Sequence, residues 1–247
     1  MKLMINPKYE YLREYISKLP QSFEKEGRII YQKRNLIKVL NINGLEINVK
    51  RYEVPFWINR VAYTFFRQPK GKRAFLYPEK LLARGFETPC PIAYIEQKRS
   101  GLIEHSYFVS LQSSYSRTFY EFGDADISSC KDVVVAFARY SAQLHEAGVL
   151  HQDYSPGNIL FDKIDGQYHF SLVDINRMRF GPVSVKKGCA NFARLWGQIA
   201  FFEVLAKEYA AARGVDEAYC RKKIFFYRKK FWTRVRKKYE VKYKLEL

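Results

Sequence analysis

"HQDYSPGNIL", from His151 to Leu160, sets an aspartate, a proline, a glycine and an asparagine between apolar residues. "LVDINRM", from Leu172 to Met178, follows with a single aspartate behind two apolar residues. Pro156 and Gly157 hold the first stretch in a fixed loop, so Asp153 and Asn158 are expected to project toward one point. Short strands at Ile159–Phe161 and Tyr168–Val173, joined through Asp165-Gly166, return the chain and deliver Asp174 to the same edge. Two carboxylates and one amide oxygen are hard ligands, suited to Mg²⁺ rather than to zinc or copper. Magnesium held this way keeps several waters and meets substrate phosphates, which points to phosphoryl transfer.

Outward from that loop, the hydrophobic period changes along the chain. Val134, Phe137, Ala138, Ser141 and Leu144 form one helical stripe that ends at Gly148. Upstream, Asn35–Leu40 and Leu45–Arg51 read as strands around an Asn43-Gly44 hairpin turn. Lys70–Arg84 is a candidate helix that Pro78 would start or kink, and Ile92–Glu96 and Ser106–Leu111 are two further strands around Gly101. The expectation is an α+β protein of two lobes: residues 1–111 strand-rich with one inserted helix, and residues 112–247 helical, the boundary lying near Gln112–Ser116.

Composition narrows the partners. The 47% hydrophobic content suits a soluble globular chain, and no apolar run reaches the roughly 18 residues of a membrane span. The N-terminal stretch lacks the apolar core of a secretory signal, so a cytoplasmic location is expected. Four scattered cysteines without a C-x-x-C pair argue against zinc or a disulfide framework. The formal charge of +18 favours anionic partners, and Cys220–Leu247 alone holds twelve Lys and Arg against two Glu. Ile224, Phe231 and Val235 share one side of a helix there and would pack inward, leaving a basic face for an anionic membrane surface. Arg mixed with aromatics also suits single strands of nucleic acid, although that partner is not the expected one.

The spacing of His151, Asp153 and Asn158, followed by Asp174, resembles the catalytic loop and metal-binding aspartate of the protein-kinase-like superfamily. "LLARGFETPCPIAYIE" upstream and the basic charge make it look more specifically like the lipopolysaccharide kinases, which phosphorylate Kdo or heptose sugars of the lipid A inner core. The resemblance spans about Gly27 to Leu205. It implies ATP and Mg²⁺ as cofactors, Asp153 as the catalytic residue, Asn158 and Asp174 as metal ligands, and Lys50 on the nucleotide phosphates. Glu79 is the acid available to pair with Lys50. Only Gly27 stands where a glycine-rich loop belongs, so Arg28, Lys33 or Arg34 would meet phosphate instead. Ile175-Asn176 replaces Phe-Gly after Asp174, and asparagine tolerates the left-handed backbone that glycine supplies. The expected partners are ATP and an anionic lipid A core precursor, with peripheral contact to the cytoplasmic face of the inner membrane. Two rival readings are a small atypical serine/threonine protein kinase and a catalytically weak kinase-fold binding module.

Overall fold

The computed structural model describes residues 1–241 and 243–247, so Lys242 of the basic tail lies outside it. The chain divides into two compact units, one of residues 1–83 with 88–114 and the other of residues 84–87 with 115–247.

The first unit is a six-stranded antiparallel sheet. Its strands are β1 (Lys2–Ile5), β2 (Arg28–Gln32), β3 (Leu36–Ile42), β4 (Leu45–Tyr52), β5 (Pro91–Arg99) and β6 (Leu102–Leu111), in the order β1-β5-β6-β4-β3-β2. The β3–β4 and β5–β6 hairpins turn through Asn43-Gly44 and Ser100-Gly101, all at positive φ, the twist that suits a two-residue hairpin. Helix α1 (Arg13–Ser22) lies on one face, where Ile16, Leu19 and Phe23 join Ile47, Val49 and Val109 in a fully buried core. The buried Lys38 ammonium donates to the carbonyls of Phe23, Glu24 and Glu26 at 2.6, 3.0 and 3.0 Å. It thereby satisfies orphan carbonyls where α1 ends and favours the negative end of the helix dipole.

The single helix expected in this part is corrected to three. Besides α1 there are α2 (Trp57–Val61), continued by a π-helical turn at Ala62–Phe66, and α3 (Lys70–Leu82). Helix α1 escaped notice because Pro20 stands inside it, and α2 because its apolar residues face outward. Helix α3 runs through Pro78, which is buried with Gly71, Ala74 and Leu81. A Cβ on Gly71 would come within 2.9 Å of the Tyr94 ring, so glycine lets α3 lie directly on the sheet.

The second unit has a helical body and short strands. Its elements are β7 (Arg117–Thr118), α4 (Ile127–Glu146), β8 (Val149–His151), β9 (Ile159–Ile164), β10 (Gln167–Leu172), β11 (Met178–Phe180), α5 (Val185–Asn191), α6 (Ile199–Ala212) and α7 (Glu217–Arg236). Asp126 caps α4 by accepting from the Ser128 N–H, and Cys130, Val134, Phe137, Ala138, Ser141, Leu144 and His145 form its buried stripe. Phe119, Phe137, Phe161, Phe170 and Phe192 meet edge to face or tilted in the aromatic core beneath β9 and β10.

The basic α7 does not simply present a solvated face. Its buried side is Cys220, Ile224, Arg228 and Trp232, while Phe231 and Val235 are half-buried. Arg228 is fully buried, donating to the Gly197 carbonyl at 2.6 Å and to the Glu246 carbonyl, with its guanidinium 4.2 Å from the Phe202 ring centre. Tyr243 packs 4.4 Å from Trp196 and close enough to Gly123 that a Cβ there would clash. All four cysteines are free thiols. Among the described residues no helix is long and apolar enough to cross a membrane.

His145 sits in this core as a neutral ring. Its Nδ1 lies 2.9 Å from the Tyr209 hydroxyl and its Nε2 3.0 Å from Asn191 Oδ1, so Nε2 carries the proton. Burial pushes its pKa down from 6.5 to about 4, against a smaller opposing effect of Asn191. The unfolded chain therefore binds this proton more readily between those two values, and stability present above pH 6.5 is lost as pH falls toward 4. In urea titrations the His145 contribution to the unfolding free energy is expected to drop by about 3 kcal/mol at most across that window. The pH dependence should shrink in His145→Gln, leaving the part due to His105 and His151, whose pKa values burial also lowers.

Candidate active site

The loop between β8 and β9 is built around His151, which is fully buried and pairs in register with Met178 of β11. The Asp153 N–H donates to His151 Nδ1 at 3.1 Å, and Nε2 lies 3.0 Å from the Val173 carbonyl. Both ring atoms are thus committed to backbone groups, and burial pushes the His151 pKa down, which keeps the ring neutral. Its role is to join the loop to the β10 end. Tyr154 plugs the loop into the core, stacked 5.5 Å from Phe137 with its hydroxyl 2.9 Å from Ser141 Oγ.

Asp153 turns the other way. Its carbonyl accepts from the Ser155 N–H and from Asn158 Nδ2, each at 2.8 Å, which fixes the backbone. Its carboxylate stays 27% exposed, and Oδ1 stands 3.1 Å from Arg194 Nη1. Arg194 in turn lies over the Phe231 ring at 5.1 Å. Pro156–Asn158 form a 3₁₀ turn, and Gly157 is covered so closely by Tyr120 that a Cβ would stand 2.7 Å from the ring.

Asn158 commits its amide nitrogen to Asp153 and to Ser155 Oγ, which leaves Oδ1 as the atom that could meet a cation. The β9–β10 register sets Leu172 opposite Ile159, and the Val173 N–H donates to the Asn158 carbonyl at 3.1 Å. Asp174, the next residue, therefore emerges beside Asn158. The hairpin that achieves this turns at Asp165-Gly166, both at positive φ.

Asp174 itself adopts the left-handed conformation, at φ 53° and ψ 41°. The expectation that Asn176 would supply it is corrected, because Asn176 lies at the end of β10's exit turn within the 3₁₀ turn Ile175–Arg177. Asn176 instead donates from Nδ2 to Asp174 Oδ1 at 2.5 Å, and its own Oδ1 is buried without a hydrogen-bond partner. A left-handed aspartate is sterically costly, by about 1 kcal/mol or more, and such cost persists where the surroundings hold it in place.

The oxygens of Asn158 and Asp174 suit a hard divalent cation, and the orphaned Asn176 oxygen suits a coordinated water beside it. Among the described residues no group of three His, Cys, Asp or Glu stands together.

The remaining candidates lie in the first unit. Lys50 is on β4, half-buried, with its ammonium 5.2 Å from the Tyr52 ring centre. It shares a sheet face with Tyr52, against which α3 packs at Gly71. Glu79 is exposed on α3, off the buried stripe that includes its neighbour Pro78, and makes no ion pair among the described residues. The structure does not bring it to Lys50. The β2–β3 turn at Lys33–Asn35 takes the place expected of a glycine-rich loop, and Arg34 pairs with Glu53 at 3.2 Å. Arg28 is exposed at the opposite end of β2 from that turn, and Gly27 at φ 81° packs against Val39 and Leu40. Arg194 was not singled out from sequence, because nothing local marks an arginine 41 residues beyond Asp153 as its neighbour.

The sequence model of the lipopolysaccharide kinase (Kdo/WaaP) family matches residues 24–200. Among solved structures the chain is similar to WaaP in complex with acyl carrier protein, at TM-score 0.61 and 16% identity over 94% of this chain and 100% of that one. It is also similar to a microcompartment-associated aminopropanol kinase, at TM-score 0.50 and 11% identity over 87% of this chain and 86% of that one. At such identities these likenesses show the fold alone, and that fold is the protein-kinase-like α+β arrangement read from the sequence. No curated protein sequence matches the chain.

Proposed function

The chain belongs to the lipopolysaccharide kinase (Kdo/WaaP) family, and on that premise we propose that it transfers the γ-phosphoryl group of ATP to a hydroxyl of Kdo or another inner-core sugar of a lipid A precursor. The observation that carries the finer reading is the Asp153 carboxylate, turned outward on a rigid loop with the Arg194 guanidinium 3.1 Å away. The carboxylate orients the acceptor hydroxyl and takes its proton as the oxygen attacks phosphorus and ADP leaves. The guanidinium gives a carboxylate or phosphate on the acceptor a cation beside the reacting hydroxyl, which a neutral sugar would not use.

Lys50 is assigned to the nucleotide phosphates, and Asn158 Oδ1 with the Asp174 carboxylate to Mg²⁺. Bound there, the cation would neutralise charge building on the transferred phosphoryl oxygens. His151 holds the loop and takes no proton, since both its nitrogens serve backbone groups. Glu79 and Arg28 receive no role. The exposed cations of α7, among them Lys222, Lys229 and Lys230, supply general attraction toward an anionic glycolipid.

The test is incubation with labelled ATP and Mg²⁺ and, in parallel, a Kdo-bearing lipid A precursor, a heptose-bearing core and a basic protein. Label is expected in the glycolipid. Label in the protein alone would replace this reading with that of a protein kinase. Arg194→Ala should raise KM for the anionic acceptor by about tenfold or more while leaving KM for ATP near the parent value.

A further inference from the structure

Helix α2 and its π-helical continuation are amphipathic in the wrong sense for a soluble protein. The polar side holds the helix down: Arg60 Nε donates to the Ile103 carbonyl at 2.8 Å, and the Ile103 N–H donates to Thr64 Oγ1 at 3.1 Å. At helical spacing, Ile58, Val61 and Phe65 then turn away from that side, and Trp57 stands exposed at its edge. Phe56, Trp57 and Phe66 are 67%, 63% and 82% exposed, and Ile58 and Phe65 are exposed as well. Scattered single apolar residues on a surface need no explanation, but five large ones within eleven positions form a patch.

Charge says what covers it. From Pro55 to Lys72 the segment contains Arg60, Arg67, Lys70 and Lys72 and no acid. Beside Phe65 and Phe66 lies a pocket of about 490 Å³ whose lining includes Lys2, Arg67, Lys72 and Lys98. Glu96 is the one carboxylate there, and it is already engaged by the Tyr94 hydroxyl at 2.6 Å. An apolar tip rich in Trp and Phe, rimmed by cations around a basic pocket, matches a bilayer interface with anionic headgroups. Glu96 also stands 3.9 Å from the Lys98 ammonium, and cations still outnumber acids along this surface, an excess that a neutral apolar partner would not use. Helix α7 offers much less to insert, because Cys220, Ile224 and Trp232 face inward.

We infer that Phe56–Phe66 is a membrane-interface element. It seats its aromatic side at the headgroup–acyl boundary of an anionic phospholipid bilayer, and the pocket lined by Lys2, Arg67, Lys72 and Lys98 takes a lipid phosphate.

The test is sedimentation of the whole chain with vesicles of phosphatidylglycerol and phosphatidylethanolamine, against vesicles of phosphatidylcholine. The protein is expected to pellet with the anionic vesicles. The triple variant Trp57→Ser, Phe65→Ser, Phe66→Ser should bind them at least about tenfold more weakly, since it removes three aromatic side chains from the buried area. Arg67→Gln with Lys72→Gln and Lys98→Gln should abolish the preference for anionic lipid. Brominated lipid should quench part of the tryptophan fluorescence of the parent, and that part should be missing in Trp57→Phe, which conserves the fold. Unchanged binding by the triple variant, or equal binding to phosphatidylcholine, would overturn the inference. So would a lipid-free dimer that the triple substitution dissolves, since the patch would then belong to a second copy. Vesicle binding requires no phosphoryl transfer, so its failure leaves the reading of the Asp153 site untouched.

Discussion

Asp153→Asn is expected to lower the rate of phosphoryl transfer by about 10²–10⁴-fold, the range that a positioned general base contributes. The amide has nearly the volume of the carboxylate, and the hydrogen bonds that shape the loop use the Asp153 backbone, its N–H to His151 and its carbonyl to Asn158 and Ser155. The loop should therefore keep its conformation, and nucleotide affinity should stay close to that of the parent. The substitution removes a proton acceptor and leaves the Arg194 guanidinium without its anion. Asp153→Ala should behave alike. Single-turnover rates and ATP binding measured on the same preparation separate the two quantities. Transfer at the parental rate would remove Asp153 from the mechanism.

Arg228→Ala is expected to destabilise the second unit by about 3 kcal/mol, through the loss of charge-assisted hydrogen bonds inside the protein. Burial pulls the pKa of this guanidinium down to about 10, so it remains charged at neutral pH. Its two hydrogen bonds tie the Gly197 carbonyl ahead of α6 to the Glu246 carbonyl at the end of the chain. Without it both carbonyls lose their donor. The C-terminal stretch, with Tyr243 on Trp196 and Leu245 buried, loses an anchor as well. Removing residues 243–247 strips Arg228 of one acceptor, so deletion and substitution share an interaction and their effects should fall short of additive. Urea midpoints of the two variants and their combination measure this. A shift below about 0.5 kcal/mol for Arg228→Ala would mean that water replaces the side chain without cost.

What the sequence made legible was what neighbouring residues decide. Asp153 and Asn158 sit in one loop, and the three-residue reach of a 3₁₀ turn and a few backbone hydrogen bonds fix how they face. Asn43-Gly44, Gly101 and Asp165-Gly166 announce hairpins because few residues accept positive φ. Asp174 is delivered by such a hairpin, so its place follows from register. The pairing of Arg194 with Asp153 was hidden because it depends on where the turn before α6 packs. The burial of Arg228 was hidden for a related reason: a basic residue on a basic helix reads as solvated until its carbonyl partners are located. Helix α2 was hidden by pattern, since an apolar stripe is ordinarily taken to face the core. Glu79 shows the opposite limit. Its spacing from Lys50 allowed a pair, and the packing of Pro78 turned it outward.

The chain of contacts from Tyr209 through His145 and Asn191 ends on the loop that carries Asp153, because Asn191 Nδ2 also donates to the His151 carbonyl at 2.8 Å. One titration deep in the helical body is thus linked to the Asp153 loop without touching its carboxylate. In acid, protonation of the buried His145 should loosen this loop from within the scaffold. A variant with a better-held imidazole should keep the loop in place to lower pH, with Asp153, Asn158 and Asp174 all unchanged.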